Sequence, residues 1–184
     1  MIQFLAMLAA PFLNVSIIRR IRRNHGLEHA TIHVLSRKVK NLNMAGRSTM
    51  SGFYLYGNVS TPEVEAAVSE ALNRMRNGER GLAIHPNCGT GLVTAGFMTS
   101  LAALAATTGM KRGFLDRLSR LPTIIMLSTM SLILSQPLGL SLQQHFTTLG
   151  EPGGLEIASI NRYEFSIPFA GQRLTVHFVR TMAG

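Results

Sequence analysis

The stretch TGLVTAGFMTSLAALAATTGM, residues 90–110, carries no charged side chain, and its reading decides the fold. As a helix, about 20 such residues cross a bilayer's hydrocarbon core. Its Gly, Ala and Thr content suits close approach of a second helix. A partner follows in LPTIIMLSTMSLILSQPLGLSL, residues 121–142, also uncharged. Pro122 near its start is tolerated, and Pro137 predicts a kink or an early exit. Between the two lies the short basic loop Lys111–Arg120. Together they predict a transmembrane helical hairpin over 90–142, with the flanking regions on one side of the membrane. The alternative, two buried core helices of a soluble protein, has to account for both the length and the absence of charge.

Composition agrees. Charged residues make up 15% of the chain, against about 25% in ordinary soluble domains. The formal net charge is +9. The basic residues flank apolar runs, which favours an anionic membrane surface over nucleic acid. No aromatic-interleaved basic groove of the kind that single-strand binders use is visible. The expected partner is therefore the lipid bilayer, with no nucleic acid. Cys88 is alone, so no intrachain disulfide forms and an oxidising compartment is not implied.

Residues 1–18 are apolar, and Arg19, Arg20, Arg22 and Arg23 follow them. A cleaved signal has its charges before the apolar stretch, so this reads instead as an apolar N-terminal helix, interfacial or spanning. Pro11 and Asn14 interrupt it. The positive-inside tendency puts the following domain in the cytoplasm. The loop Lys111–Arg120 points the other way, and the arginine cluster is given more weight.

Residues 19–89 read as a small α/β domain in the order helix, strand, helix, strand. Val15–Lys38 is a helix with the apolar stripe Ile18, Ile21, Leu27, Ile32 and Leu35. Gly52–Val59 is a strand in which Phe53 and Leu55 alternate with Tyr54 and Tyr56. Thr61 caps a helix with Pro62 at its first position, and Val64, Ala67, Val68, Ala71, Leu72 and Met75 keep helical spacing. Gly81–Ile84 is a short strand leading into His85-Pro86-Asn87-Cys88-Gly89-Thr90. Residues 143–184 are a linker and a β-hairpin, Leu155–Ile167 and Arg173–Arg180 around Pro168–Gln172, able to pair with the first sheet. The fold class is thus an α+β membrane protein.

The chemistry concentrates in His25-Gly26-Leu27-Glu28-His29, the H-x-x-E-H spacing. Residues four apart share a helix face, so His25 and His29 can offer two imidazoles to one metal ion. Glu28 is placed as the catalytic general base for a metal-activated water. His33 extends the same face. A catalytic zinc wants three protein ligands and an open position, and the candidates to complete it are Cys88 and His85. Both sit in a turn fixed by Pro86 and Gly89, just ahead of an apolar helix for which Thr90 or Asn87 is the candidate cap. The bland reading is that this turn only shapes the helix entry. Arg47 is placed in a solvated turn, Tyr54 and Tyr56 on a half-exposed strand face, and His145 and His177 have no special role.

Three blocks carry a resemblance: Asn24-His25-Gly26-Leu27-Glu28-His29-Ala30-Thr31-Ile32-His33; Ala45-Gly46-Arg47-Ser48-Thr49 followed by Gly52-Phe53-Tyr54-Leu55-Tyr56-Gly57; and His85-Pro86-Asn87-Cys88-Gly89-Thr90. They resemble a bacterial family of uncharacterised small membrane proteins. More distantly, the first and third blocks resemble the YqhQ-type membrane proteins, which are described as candidate metal-dependent enzymes. There a basic residue usually follows the second histidine; here it is Ala30. The resemblance implies a joint His/Glu/Cys site; the expected place is a bacterial plasma (inner) membrane, with the polar domains put in the cytoplasm by the arginine cluster.

Three functions follow as expectations. The first is a metal-dependent hydrolase of the peptidase kind, with a membrane or peptide substrate and a divalent transition metal, zinc foremost. The second is a non-catalytic metal site in a membrane scaffold or sensor. The third is a membrane adaptor with no metal.

Overall fold

The computed structural model describes residues 2–109, 113–166 and 173–183. The expected turn Pro168–Gln172 and the start of the basic loop, Lys111 and Arg112, lie outside the described residues. The chain divides into two compact units, one of residues 1–85 with 144–184 and one of residues 86–143.

In the first unit the apolar N-terminus forms two short helices, α1 (Ile2–Leu8) and α2 (Ala10–Leu13). Each is shorter than the roughly 20 residues a straight span needs. Pro11 lies inside the first turn of α2 and Asn14 ends it, the two residues that interrupt the apolar run. Helix α3 (Ser16–Lys38) follows within one residue of its expected start and ends with Arg37 and Lys38 in its last turn. That position suits cations at the negative end of the helix dipole.

The next elements correct the expected order. A hairpin forms from β1 (Ala45–Thr49) and β2 (Gly52–Tyr56), so the Arg47 region is an edge strand and not a turn. Helix α4 (Thr61–Arg76) is capped by Ser60, not Thr61. The Ser60 hydroxyl accepts from Glu63 N–H while the Glu63 carboxylate accepts from Ser60 N–H at 3.1 Å, a reciprocal capping box. Residues Arg80–Ala83 form a 3₁₀ turn where a strand was expected.

The C-terminal strands β3 (Glu156–Ser166) and β4 (Arg173–Met182) complete a four-stranded antiparallel sheet in the order β1-β2-β4-β3. Register puts Phe53 opposite Val179 and Leu55 opposite His177, so these four share one face. That face and the apolar sides of α3 and α4 form the core, with Phe53, Leu55, Leu27, Leu35, Val64, Val68 and Val179 buried within it. Burying each Leu or Phe contributes about 1.5–3 kcal/mol, enough to fix which sheet face turns inward. Tyr54, on the opposite face, packs against Phe178 at 4.5 Å between ring centres.

The second unit is a helix pair, α5 (Gly89–Thr107) and α6 (Phe114–Leu142). Both are long and apolar enough to cross a membrane by length and composition. Their buried residues are small or polar, Thr94 and Ala106 on one and Ser135 and Gly139 on the other, while large apolar side chains such as Leu92, Phe97, Leu104, Ile125 and Ile133 are exposed. A Cβ at Gly139 would lie 3.0 Å from Gly91 Cα, which identifies where the two backbones come closest. Threonine hydroxyls in α5 donate to the carbonyl one turn back, as Thr94 does to Thr90 at 2.7 Å, so the helix satisfies its own polar groups. Helix α6 continues through Pro137 to Leu142 and then widens into a π turn, Gln143–Thr147, without the early exit expected at Pro137.

Candidate metal centre

Helix α3 lines up imidazoles because positions four apart lie one turn above another. The rings of His25 and His29 are 4.4 Å apart between centres. His85, at the end of the 3₁₀ segment, brings its ring to 5.8 Å from His29 and 4.9 Å from His33. The first unit therefore gathers four histidines, two of them, His33 and His85, beside the pair that the spacing singled out.

Backbone carbonyls fix the rings of the helix histidines. His25 Nδ1–H donates to Thr147 O at 2.9 Å, His29 Nδ1–H to Ala83 O at 2.8 Å and His33 Nε2–H to Ile84 O at 2.7 Å. A carbonyl only accepts, so each of these nitrogens carries the proton. The lone pair of the neutral ring then sits on Nε2 of His25 and His29 and on Nδ1 of His33. Metal-binding histidines are oriented in this way, with the remote N–H given to a carbonyl or carboxylate.

The surroundings suppress protonation. Burial, followed by the charges of neighbouring histidines, pushes His29 down to about 3. Burial also lowers His25 and His85. Neutral imidazole is the form a metal requires.

Glu28 is buried at 4% exposure, and burial pushes its carboxyl up to about 8. It leaves α3 about 60° round the helix from His25 and lies against Gly46 of β1, where a Cβ would be 2.1 Å from Oε1. Its Oε2 is buried with no hydrogen-bond partner among the described residues. A buried carboxylate without a donor is costly unless a cation neutralises it. The two oriented Nε2 lone pairs of His25 and His29 fit a divalent metal.

Sequence reasoning missed the groups that hold this arrangement. The buried Arg22 donates through Nη2 to His145 O at 3.0 Å and Thr148 O at 3.2 Å, and its own carbonyl accepts from Leu149 N–H at 2.9 Å. These bonds fasten the segment that carries the Thr147 carbonyl. Gly26 admits it, because a Cβ there would be 2.4 Å from Leu149 O. Asn24, fully buried, donates to Thr49 O at 2.8 Å and accepts from Thr181 Oγ1 at 2.8 Å, tying α3 to the β1–β2 turn and to β4. The signal for Asn24 was its place beside His25, since a polar residue amid a core-facing helix needs partners.

Cys88 belongs to the second unit, where it is buried and caps α5 in place of Thr90 or Asn87. The Thr90 N–H donates to its Sγ at 3.4 Å. His177, given no role by the sequence, is fully buried with Nε2 3.1 Å from Thr61 Oγ1. His145 contributes its carbonyl to Arg22.

Residues 20–160 match the family described as Domain of unknown function (DUF6391), and the chain belongs to that family. It is similar to an uncharacterized protein of Picosynechococcus sp., 34% identical over 137 residues that cover 70% of this chain and 65% of the relative. The chain thus spans just under two thirds of that relative's length. No solved structure matches it.

Proposed function

We propose that this protein is a membrane-anchored, metal-dependent hydrolase of the peptidase kind, with His25 and His29 as metal ligands and Glu28 as general base. The observation that carries the reading is the pair of Nε2 lone pairs on one helix face, each set by a backbone carbonyl on the far nitrogen. Cys88 is the third ligand in this proposal, with His85 as the alternative. Cys88 follows His85 by three residues, a reach of about 10 Å of extended chain. The distant resemblance to YqhQ-type proteins points the same way.

When bound, a divalent ion, zinc foremost, supplies Lewis acidity at neutral pH. The chain's own residues do the rest. His25 and His29 stay neutral and oriented because their Nδ1 protons are committed to Thr147 and Ala83. Glu28, shielded from solvent, acts in its ionised form, taking a proton from the attacking water and returning it to the leaving group. Helices α5 and α6 anchor the protein in a bacterial inner membrane with the polar unit cytoplasmic. Their length, composition and exposed apolar side chains support the anchor, and the arginines after the apolar start support the side.

Elemental analysis of the detergent-solubilised protein, paired with peptide-hydrolysis assays, tests the reading. Stoichiometric zinc lost in His29→Ala and in Cys88→Ala, together with Glu28→Gln that keeps zinc but loses turnover, is the expected result. Zinc retained in His29→Ala would end it.

A second reading, a closed non-catalytic metal site, is favoured by one observation, the packing of His33 and His85 against the pair. Those rings could fill the shell. A cobalt-substituted protein whose visible spectrum ignores added azide would support it, because a closed shell has no position for the anion.

A further inference from the structure

A cleft of about 510 Å³ opens in the first unit at one end of the sheet. Arg20 of α3, Ser51 of the β1–β2 turn, Ala158 and Ser159 of β3, and Arg180 and Thr181 of β4 line it. From these groups we infer that the cleft is an anion site for a phosphate ester or free phosphate, independent of the metal reading.

Two guanidiniums face this space with no carboxylate to answer them. Neither Arg20 nor Arg180 makes an ion pair among the described residues. Arg20 is held in place by Nη2 donating to Thr181 O at 3.0 Å, and its Nε is buried with no acceptor. An unanswered buried N–H costs free energy that an anionic oxygen would return. Solvated surface arginines are long and mobile, whereas this one is fixed by a strand carbonyl.

Apart from the apolar Met50 and Met182, the walls match the chemistry. Ser51 and Ser159 add hydroxyl donors at the same mouth. The strand register of β3 shifts between Ile157 and Ser159, a bulge at Ala158 that re-aims the neighbouring side chains. Arg180 pairs with Gly52 on one side and Ser159 on the other, so it projects from the middle of this end of the sheet. Glu156, opposite Met182, is the acid on the adjoining strand end and pairs with neither arginine. A tetrahedral oxyanion accepts from two guanidiniums and two hydroxyls at once, and guanidinium forks suit phosphate geometry.

The source of that phosphate is either a lipid headgroup or the free anion. The full chain in a neutral detergent is titrated with inorganic phosphate at constant ionic strength, and separately with fluorescent phosphatidylglycerol, with phosphatidylcholine as the zwitterionic control. Saturable binding of either probe, weakened about tenfold in Arg180→Gln, is expected, as for loss of one charged hydrogen-bond donor. Phosphate binding alone assigns the free anion, and phosphatidylglycerol binding alone assigns the headgroup. Arg180→Gln removes an exposed side chain, so it keeps the test valid if Arg20→Gln impairs folding. No binding of either probe, binding unchanged in Arg180→Gln, or an equal loss in Arg117→Gln of α6 would overturn the inference.

Discussion

Gly46 and Glu28 occupy a space that admits only one side chain: a Cβ on Gly46 would stand 2.1 Å from the Glu28 Oε1. The edge strand β1 thus carries a glycine because the helix behind it carries a buried acid. Gly46→Ala is expected to cost about 1–3 kcal/mol in chemical denaturation, the usual penalty of overpacking. Adding Glu28→Ala should recover part of that loss, since the obstructing carboxylate is gone. Simple additivity of the two changes would show that they do not compete for the space.

Arg22 bears on the candidate metal centre through Thr147. Its Nη2 bonds to His145 O and Thr148 O bracket the carbonyl that orients His25. Arg22→Met should weaken zinc binding about 10–100-fold, as loss of an orienting partner does. Arg23→Met removes only an exposed bond to Glu151 O and should leave affinity unchanged. Competition against a chelating dye measures both, and equal effects in the two variants would remove Arg22 from its positioning role.

His177 makes stability depend on pH. Burial, and then the charge of Arg162 opposite it, hold its imidazole below the ordinary histidine range. In the unfolded chain it titrates near 6.5, roughly the free value. The folded state therefore binds fewer protons once pH drops below that value. Stability is full above about 6.5 and falls on acidification toward the lowered pKa. His25, His29 and His85 shift in the same direction, so the comparison that isolates His177 is with His177→Gln. Urea midpoints of the unaltered protein should decline more between neutral and acid pH than those of the variant. Parallel curves would show that His177 contributes nothing to the slope.

Gly139 sets how closely α5 and α6 approach. A Cβ there meets Gly91 Cα at 3.0 Å, and Gly91 has no side chain that could move aside. Gly139→Val should destabilise the helix pair by about 1–3 kcal/mol in a detergent-unfolding titration. Unchanged unfolding would mean that the helices separate without cost.

The elements legible in the sequence were those whose side chains report their own burial. The stripe on α3, the helical spacing from Val64 to Met75 and the alternation of Phe53 and Leu55 all record contact with one core. The 3₁₀ turn Arg80–Ala83 was read as a strand because Leu82 and Ala83 are apolar and buried. The carbonyl of Ala83 and that of Ile84 go instead to His29 and His33. A backbone satisfied by side chains leaves no mark in local periodicity. Strand β1 was missed because Ala-Gly-Arg-Ser-Thr has weak strand preference, and its glycine answers to Glu28. Of the site, the histidine spacing was visible in the chain itself. The carbonyl of Thr147, 122 residues from His25, was not, since every residue offers a carbonyl.

That separation orders events during synthesis. His25 leaves the ribosome long before Thr147, and the whole of α5 and α6 is translated in between. A nascent chain stalled within those helices holds the histidine helix with one ring still unanchored and half its sheet unmade. The carbonyl that orients His25, and strands β3 and β4, therefore become available only after the apolar helix pair has been made.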